Sequence, residues 1–275
     1  MSFVERAVKV NGITLHYLDW GPADAPVVVF LHGITGHARA WDHVAERLVP
    51  GRRVLALDQR GHGDSDPAPD DDYRVATMAD DVAAFAGTLG LPRFALVGHS
   101  MGGRIAIQYA AGHAARVERL VIIDIGPDIA LAGLQRVRDM MSQAPERIES
   151  EEWAFAYLRR ASPLQDPDLL RHRIRHGLKP RPDGGLTWKY AKGLRDMMRQ
   201  GRRDAIDLWE PLARIPCPTL IVRGAESDIL STEVAKKMTE RLPNGRVLEI
   251  ARAGHTVPTD RPDEFVSELR AFLEG

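Results

Sequence analysis

The feature that most constrains this chain is an alternation of two periodicities. Short unbroken apolar runs at 27–31, 53–58, 94–97, 120–124, 219–223 and 247–250 read as strands buried on both faces. Between them, 40–48, 76–89, 101–111, 232–242 and 263–273 carry apolar residues at helical spacing. Strands separated by helices predict βαβ units and a parallel sheet covered on both sides. The opening segments, 4–10 and 13–18 around Asn11-Gly12, predict an antiparallel hairpin instead. The alternation stops near Pro127 and resumes at 219. The intervening 127–212 looks helical, with no clear buried strand, and reads as an insertion into a core made of 1–126 and 213–275.

Composition narrows the function classes. The 275 residues hold 37 Lys plus Arg against 38 Asp plus Glu, a net charge of −1, so the basic surplus that non-specific nucleic-acid binding requires is missing. No apolar run approaches a membrane span. The opening Met1-Ser-Phe-Val-Glu-Arg has no apolar stretch of the secretory kind, and a single cysteine, Cys217, excludes an intrachain disulfide. The expectation is a cytoplasmic chain with no membrane partner. No H-E-x-x-H, cysteine ligand pair or G-x-x-x-x-G-K-[ST] is present, so neither a metal nor a cofactor is expected.

Gly98-His-Ser-Met-Gly102 matches G-x-S-x-G between a predicted strand and a predicted helix. A serine on such a turn adopts a strained backbone, exposes its hydroxyl at the carboxyl end of the sheet and stands at the amino end of a helix. Negative charge that develops in acyl transfer is stabilised at that point.

Together with His32-Gly-Ile-Thr-Gly36, Asp58-Gln-Arg-Gly-His-Gly-Asp-Ser65 and a late Gly254-His255, this motif resembles the α/β-hydrolase fold enzymes, in the serine esterase and enol-lactonase branch that carries a helical cap. The resemblance covers nearly the whole chain outside 127–212. It implies a mostly parallel eight-stranded sheet with helices on both faces and a cap inserted after the sixth strand. It implies Ser100 as nucleophile and His255 as its base. It implies an acid in the loop after 219–223, where Asp228 is the assignment, with Glu226 and Asp124 as alternatives. The oxyanion donors are expected to be the N–H groups of Met101 and, from the H-G-x-x-G pattern, Ile34. The stretch 58–65 is expected to be scaffold, with Arg60 and Asp64 in structural ion pairs.

The inserted segment holds three of the five tryptophans and four of the eight methionines. Met140, Trp153, Tyr157, Trp188 and Met197 are therefore candidate pocket residues, although some must form the segment's own core. The segment has 16 Lys plus Arg against 13 Asp plus Glu, densest in Arg171-His-Arg-Ile-Arg-His176. A solvated helix face is the plain explanation, and an anionic substrate group drawn toward the cap is the sharper one. The implied activity is hydrolysis of a carboxylic ester of small to medium size through an acyl-enzyme. A lactonase, a carbon–carbon bond hydrolase with the same triad and a slow-turnover ligand sensor are the alternatives. Fold and triad do not choose the substrate.

Overall fold

The computed structural model describes residues 3–200, 204 and 206–275. One eight-stranded sheet organises the chain. Its strands are β1 (Val4–Val10), β2 (Ile13–Trp20), β3 (Val27–Leu31), β4 (Arg53–Leu57), β5 (Phe94–His99), β6 (Val117–Ile123), β9 (Thr219–Gly224) and β10 (Gly245–Ile250), and a separate small hairpin is formed by β7 (Leu178–Pro180) and β8 (Leu186–Trp188). The order across the sheet is β1-β2-β4-β3-β5-β6-β9-β10. The pairs made by β2 with β1 and β4 are antiparallel, and the pairs from β4 to β10 are parallel. The first hairpin turns at Asn11 and Gly12, both with positive φ (48° and 81°), the backbone that a two-residue turn needs to match strand twist.

The strand sequences explain the layers. In β3, Val29 and Leu31 face one side and Val28 and Phe30 the other. The first side is covered by α2 (Val75–Thr88), α3 (Met101–Gly112), α8 (Trp209–Ala213) and α9 (Thr232–Arg241). The second is covered by α1 (Asp42–Leu48) and α11 (Pro262–Glu274). Both faces of a central strand are apolar because both are buried.

Between β6 and β9 run α4 (Leu131–Gln143), α5 (Glu151–Ala161), α6 (Pro167–Gly177) and α7 (Lys192–Arg199), with the β7–β8 hairpin between the last two. The hairpin adds two short, largely unburied strands to the four helices of this segment. Three-residue strands turning at Gly184 and Gly185 are too short to show a period. The segment has its own core of Met141, Ile148, Leu158, Leu170, Ile174, Trp188 and Leu194.

The chain adds β4 on one side of β3 and then β5 on the other. The carboxyl ends of β3 and β5 therefore flank the point where strand order reverses, the usual place for a ligand crevice in an open α/β sheet.

Candidate active site

Ser100 links β5 to α3 with φ 53° and ψ −118°, a backbone that costs about 1–3 kcal/mol in a non-glycine residue. Its amide is held by the Ile123 carbonyl at 3.0 Å, and its own carbonyl accepts from Gly103 N–H at 2.9 Å. The flanking glycines allow close approach. A Cβ on Gly98 would stand 2.3 Å from the Gly102 carbonyl oxygen, and one on Gly102 would stand 2.4 Å from the Leu31 carbonyl oxygen.

His255 follows β10 and precedes α10 (Val257–Asp260). Its Nε2 lies 2.9 Å from Ser100 Oγ, and its Nδ1 lies 2.9 Å from Asp124 Oδ2. With Nδ1–H donating to the carboxylate, Nε2 is the free acceptor for the serine hydroxyl. The loop is held from two sides. Asp260 accepts from Gly254 N–H at 2.7 Å and Thr256 Oγ1 at 2.7 Å. His99 Nε2 donates to the His255 carbonyl at 2.9 Å, and burial pushes His99 down to about 3, so this imidazole stays neutral.

The residue against His255 is thus Asp124, not Asp228, and the expected assignment is corrected. Asp124 follows β6 with φ 48°, is fully buried, and also accepts from Gly224 N–H at 3.0 Å and Ser227 Oγ at 2.5 Å. Asp228 is engaged elsewhere. Arg136 of α4 grips both its oxygens at 2.6 and 2.7 Å, and that guanidinium holds the carboxyl below its ordinary value. The Asp228 carbonyl also accepts from Gly133 N–H at 3.0 Å, so residue 228 fastens α4 to the loop after β9.

Met101 is the first residue of α3, where backbone N–H groups have no partner inside the helix. Ile34 lies in the loop after β3. The carbonyl of the Gly33–Ile34 peptide accepts from His32 Nδ1–H and Gly36 N–H, each at 2.8 Å. Because a trans peptide points its N–H opposite its carbonyl, these two bonds fix the direction of the Ile34 donor. His32 is fully buried, accepts from Gln59 N–H through Nε2 at 3.1 Å, and is driven well below its ordinary value by burial and by His62.

Two cavities meet at Ser100. One, of about 100 Å³, is bounded by His255, Thr256, Arg136, Met140, Leu158 and Arg173. The other, of about 420 Å³ and mostly apolar, is bounded by Ile34, Met101, Ile125, Val137, Met197 and Ile229. Of the expected pocket residues, Met140 and Met197 therefore reach the nucleophile's surroundings. Tyr157 and Trp188 border a smaller adjoining void with Arg173 and Met140. Trp153 stacks on Tyr157 at 5.0 Å and packs against the inserted segment's core. Sequence reasoning marked the basic run 171–176 but did not single out Arg173, because spacing alone does not say which of its cations turns inward.

The stretch 58–65 is scaffold as expected. Arg60 pairs with Asp81 at 2.5 and 2.8 Å, and Asp64 pairs with Lys189 at 2.8 Å. Among the described residues, His16, Asp58 and Asp64 bring three potential metal donors within 4.8 Å. Asp58 oxygens already accept from Ala38 and Asp64 N–H and face His16 Nδ1, so this group is an internal brace. None of the described helices is long and apolar enough to cross a membrane.

Comparison with known proteins agrees with this architecture. The chain is 30% identical over 273 residues to 2-(acetamidomethylene)succinate hydrolase of Mesorhizobium japonicum, covering 99% of this chain and 96% of that protein. It is 31% identical over 288 residues to the 3-hydroxybutyrate-oligomer hydrolase of Cupriavidus necator, covering 100% and 98%. The crystal structure of an E-2-(acetamidomethylene)succinate hydrolase superposes with a TM-score of 0.91 over the full length of both chains at 30% identity. A family model described as alpha/beta hydrolase fold matches residues 26–262, and the chain belongs to that family of hydrolases.

Proposed function

We propose that this chain is a serine hydrolase acting on a carboxylic ester of a small molecule in the cytoplasm, without a cofactor. One observation carries the reading: a strained, cavity-lining Ser100 whose hydroxyl is 2.9 Å from His255, itself 2.9 Å from buried Asp124. In this mechanism Ser100 Oγ adds to the carbonyl carbon as its proton passes to His255 Nε2. Asp124 holds the imidazole in the required tautomer and stabilises the imidazolium. The N–H groups of Ile34 and Met101 receive the oxyanion. His255 returns the proton to the leaving oxygen, and water then releases the acyl group by the same route. Segment 127–212 serves as a cap that excludes water over Ser100.

Cleavage of an N-acyl bond is the second reading. It is favoured by the acetamido group in the name of one relative, as the ester reading is by the name of the other. The same residues serve both, with nitrogen in place of oxygen as the leaving atom. Labelling with a fluorophosphonate probe and turnover of p-nitrophenyl butyrate test the shared core. Ser100→Ala is expected to abolish labelling and lower turnover by about 10⁴-fold or more, since such residues act as a unit. A Ser100→Ala protein with near-normal turnover would refute the assignment.

A further inference from the structure

Arg173 is an anomaly of charge. It lies on α6, part-buried, and borders the cavity that contains Ser100 and His255. The nearby guanidinium of Arg136 is neutralised by two bonds to Asp228. Arg173 has no such partner: among the described residues no carboxylate comes within ion-pair distance of it, and its Nη2 donates to the neutral hydroxyl of Thr35 at 2.6 Å. Desolvation pushes its guanidinium below its ordinary value. A guanidinium does not give up its proton in a protein, so the desolvation stands as a cost unless an anion offsets it. The fork geometry selects a planar carboxylate.

The two cavities say which half of the substrate carries that anion. His255 delivers the proton to the leaving atom, and it borders the cavity of Arg173 and not the larger one. The larger cavity alone borders Met101, whose N–H would hold the carbonyl oxygen together with that of Ile34, which lines both cavities, so the larger cavity suits the acyl chain. We propose that Arg173 is a carboxylate-binding residue for the leaving half of the substrate, making the substrate class acyl esters of short hydroxycarboxylic acids. This rests on the serine hydrolase reading. Ser100 Oγ bonds to the acyl carbon while its proton goes to His255. The bond from that carbon to the hydroxy-acid oxygen then breaks as His255 protonates it. Water next divides acyl-Ser100 into carboxylic acid and free Ser100.

The test compares O-butanoylglycolate with its neutral amide, O-butanoylglycolamide, and with monoethyl succinate, which carries its carboxylate on the acyl half. The wild-type protein is expected to favour O-butanoylglycolate over both in kcat/KM, by about 10- to 100-fold over the amide, the range of a hydrogen-bonded charge. Arg173→Met should bring that ratio close to one, and Arg173→Lys should retain part of it. Calorimetry on Ser100→Ala protein should show O-butanoylglycolate binding that weakens at least about tenfold when Arg173→Met is added. No charge preference in the wild type, a preference that survives Arg173→Met, or a preference for monoethyl succinate would overturn the proposal. Binding that depends on Arg173 in a protein without turnover would instead overturn the hydrolase reading and leave the subsite standing.

Discussion

At the residue scale the instructive case is the acid. Asp124 and Asp228 both follow strands that point toward Ser100, and β6 and β9 are neighbours in the sheet, with Ile123 opposite Val222. Two acids at adjacent strand ends look equivalent in a sequence. What separates them is a left-handed backbone at Asp124 and a partner for Asp228 that lies 92 residues away in α4. Neither is encoded in local spacing. The nucleophile was legible because it sits in a motif whose glycines are required by close packing, and the histidine because it stands in a late loop that follows the last strand. Asp124→Asn should lower kcat by up to about 10⁴-fold, because an amide cannot hold the imidazole in the productive tautomer. Asp228→Asn should change kcat far less and stability by under about 1 kcal/mol, since its pair with Arg136 is partly exposed. Steady-state kinetics on the two variants checks the ranking, and the reverse order would return the acid to Asp228.

Elements were more legible than their contacts. Strands buried on both faces announce themselves as runs such as 27–31, and helices by their period. The β7–β8 hairpin escaped because it spans three residues per strand and is stabilised by the inserted segment's own core. The meeting of β3, β5 and α3 shows how tightly an element boundary is set. A methyl at Gly102 would be forced against the Leu31 backbone, which cannot rotate away as a side chain could. Gly102→Ala should cost about 1–3 kcal/mol by overpacking and, by shifting the start of α3, lower turnover as well. Thermal unfolding and p-nitrophenyl butyrate kinetics measured together would show both. Loss of stability with unchanged turnover would mean that the Ser100 turn tolerates displacement.

At the scale of the whole molecule, the interior is rich in neutral imidazole. Burial lowers His32 well below its ordinary value, His37 to about 4, His99 to about 3, and His62 in the same direction. In the unfolded chain each returns to about 6.5. Between that value and the folded ones the unfolded state binds more protons, so stability should fall as pH drops below about 6.5. The brace between His16 and Asp58 works the other way over part of this range. Burial opposes both charged forms, but their mutual hydrogen bond prevails, raising His16 and lowering Asp58 to about 2. The His16 contribution is complete below 6.5 and is lost as pH rises through its folded value. The Asp58 contribution is present above 3.8 and is lost as pH falls toward 2. His43 is lowered as well and His176 to about 4, so six lowered histidines stand against one raised one, and Tm should be lower at pH 5 than at pH 7.5. A higher Tm at pH 5, followed by calorimetry, would show that these side chains are not buried neutral.

The most direct test of the central claim is to catch the intermediate. Wild-type protein mixed with p-nitrophenyl acetate, quenched in acid within the first turnovers and digested for mass spectrometry, should carry one acetyl group on Ser100. The same adduct should persist longer in Asp124→Asn than in Asp228→Asn and be absent from Ser100→Ala. Hydrolysis that proceeds with no acyl group on Ser100, or that continues undiminished in Ser100→Ala, would contradict the account.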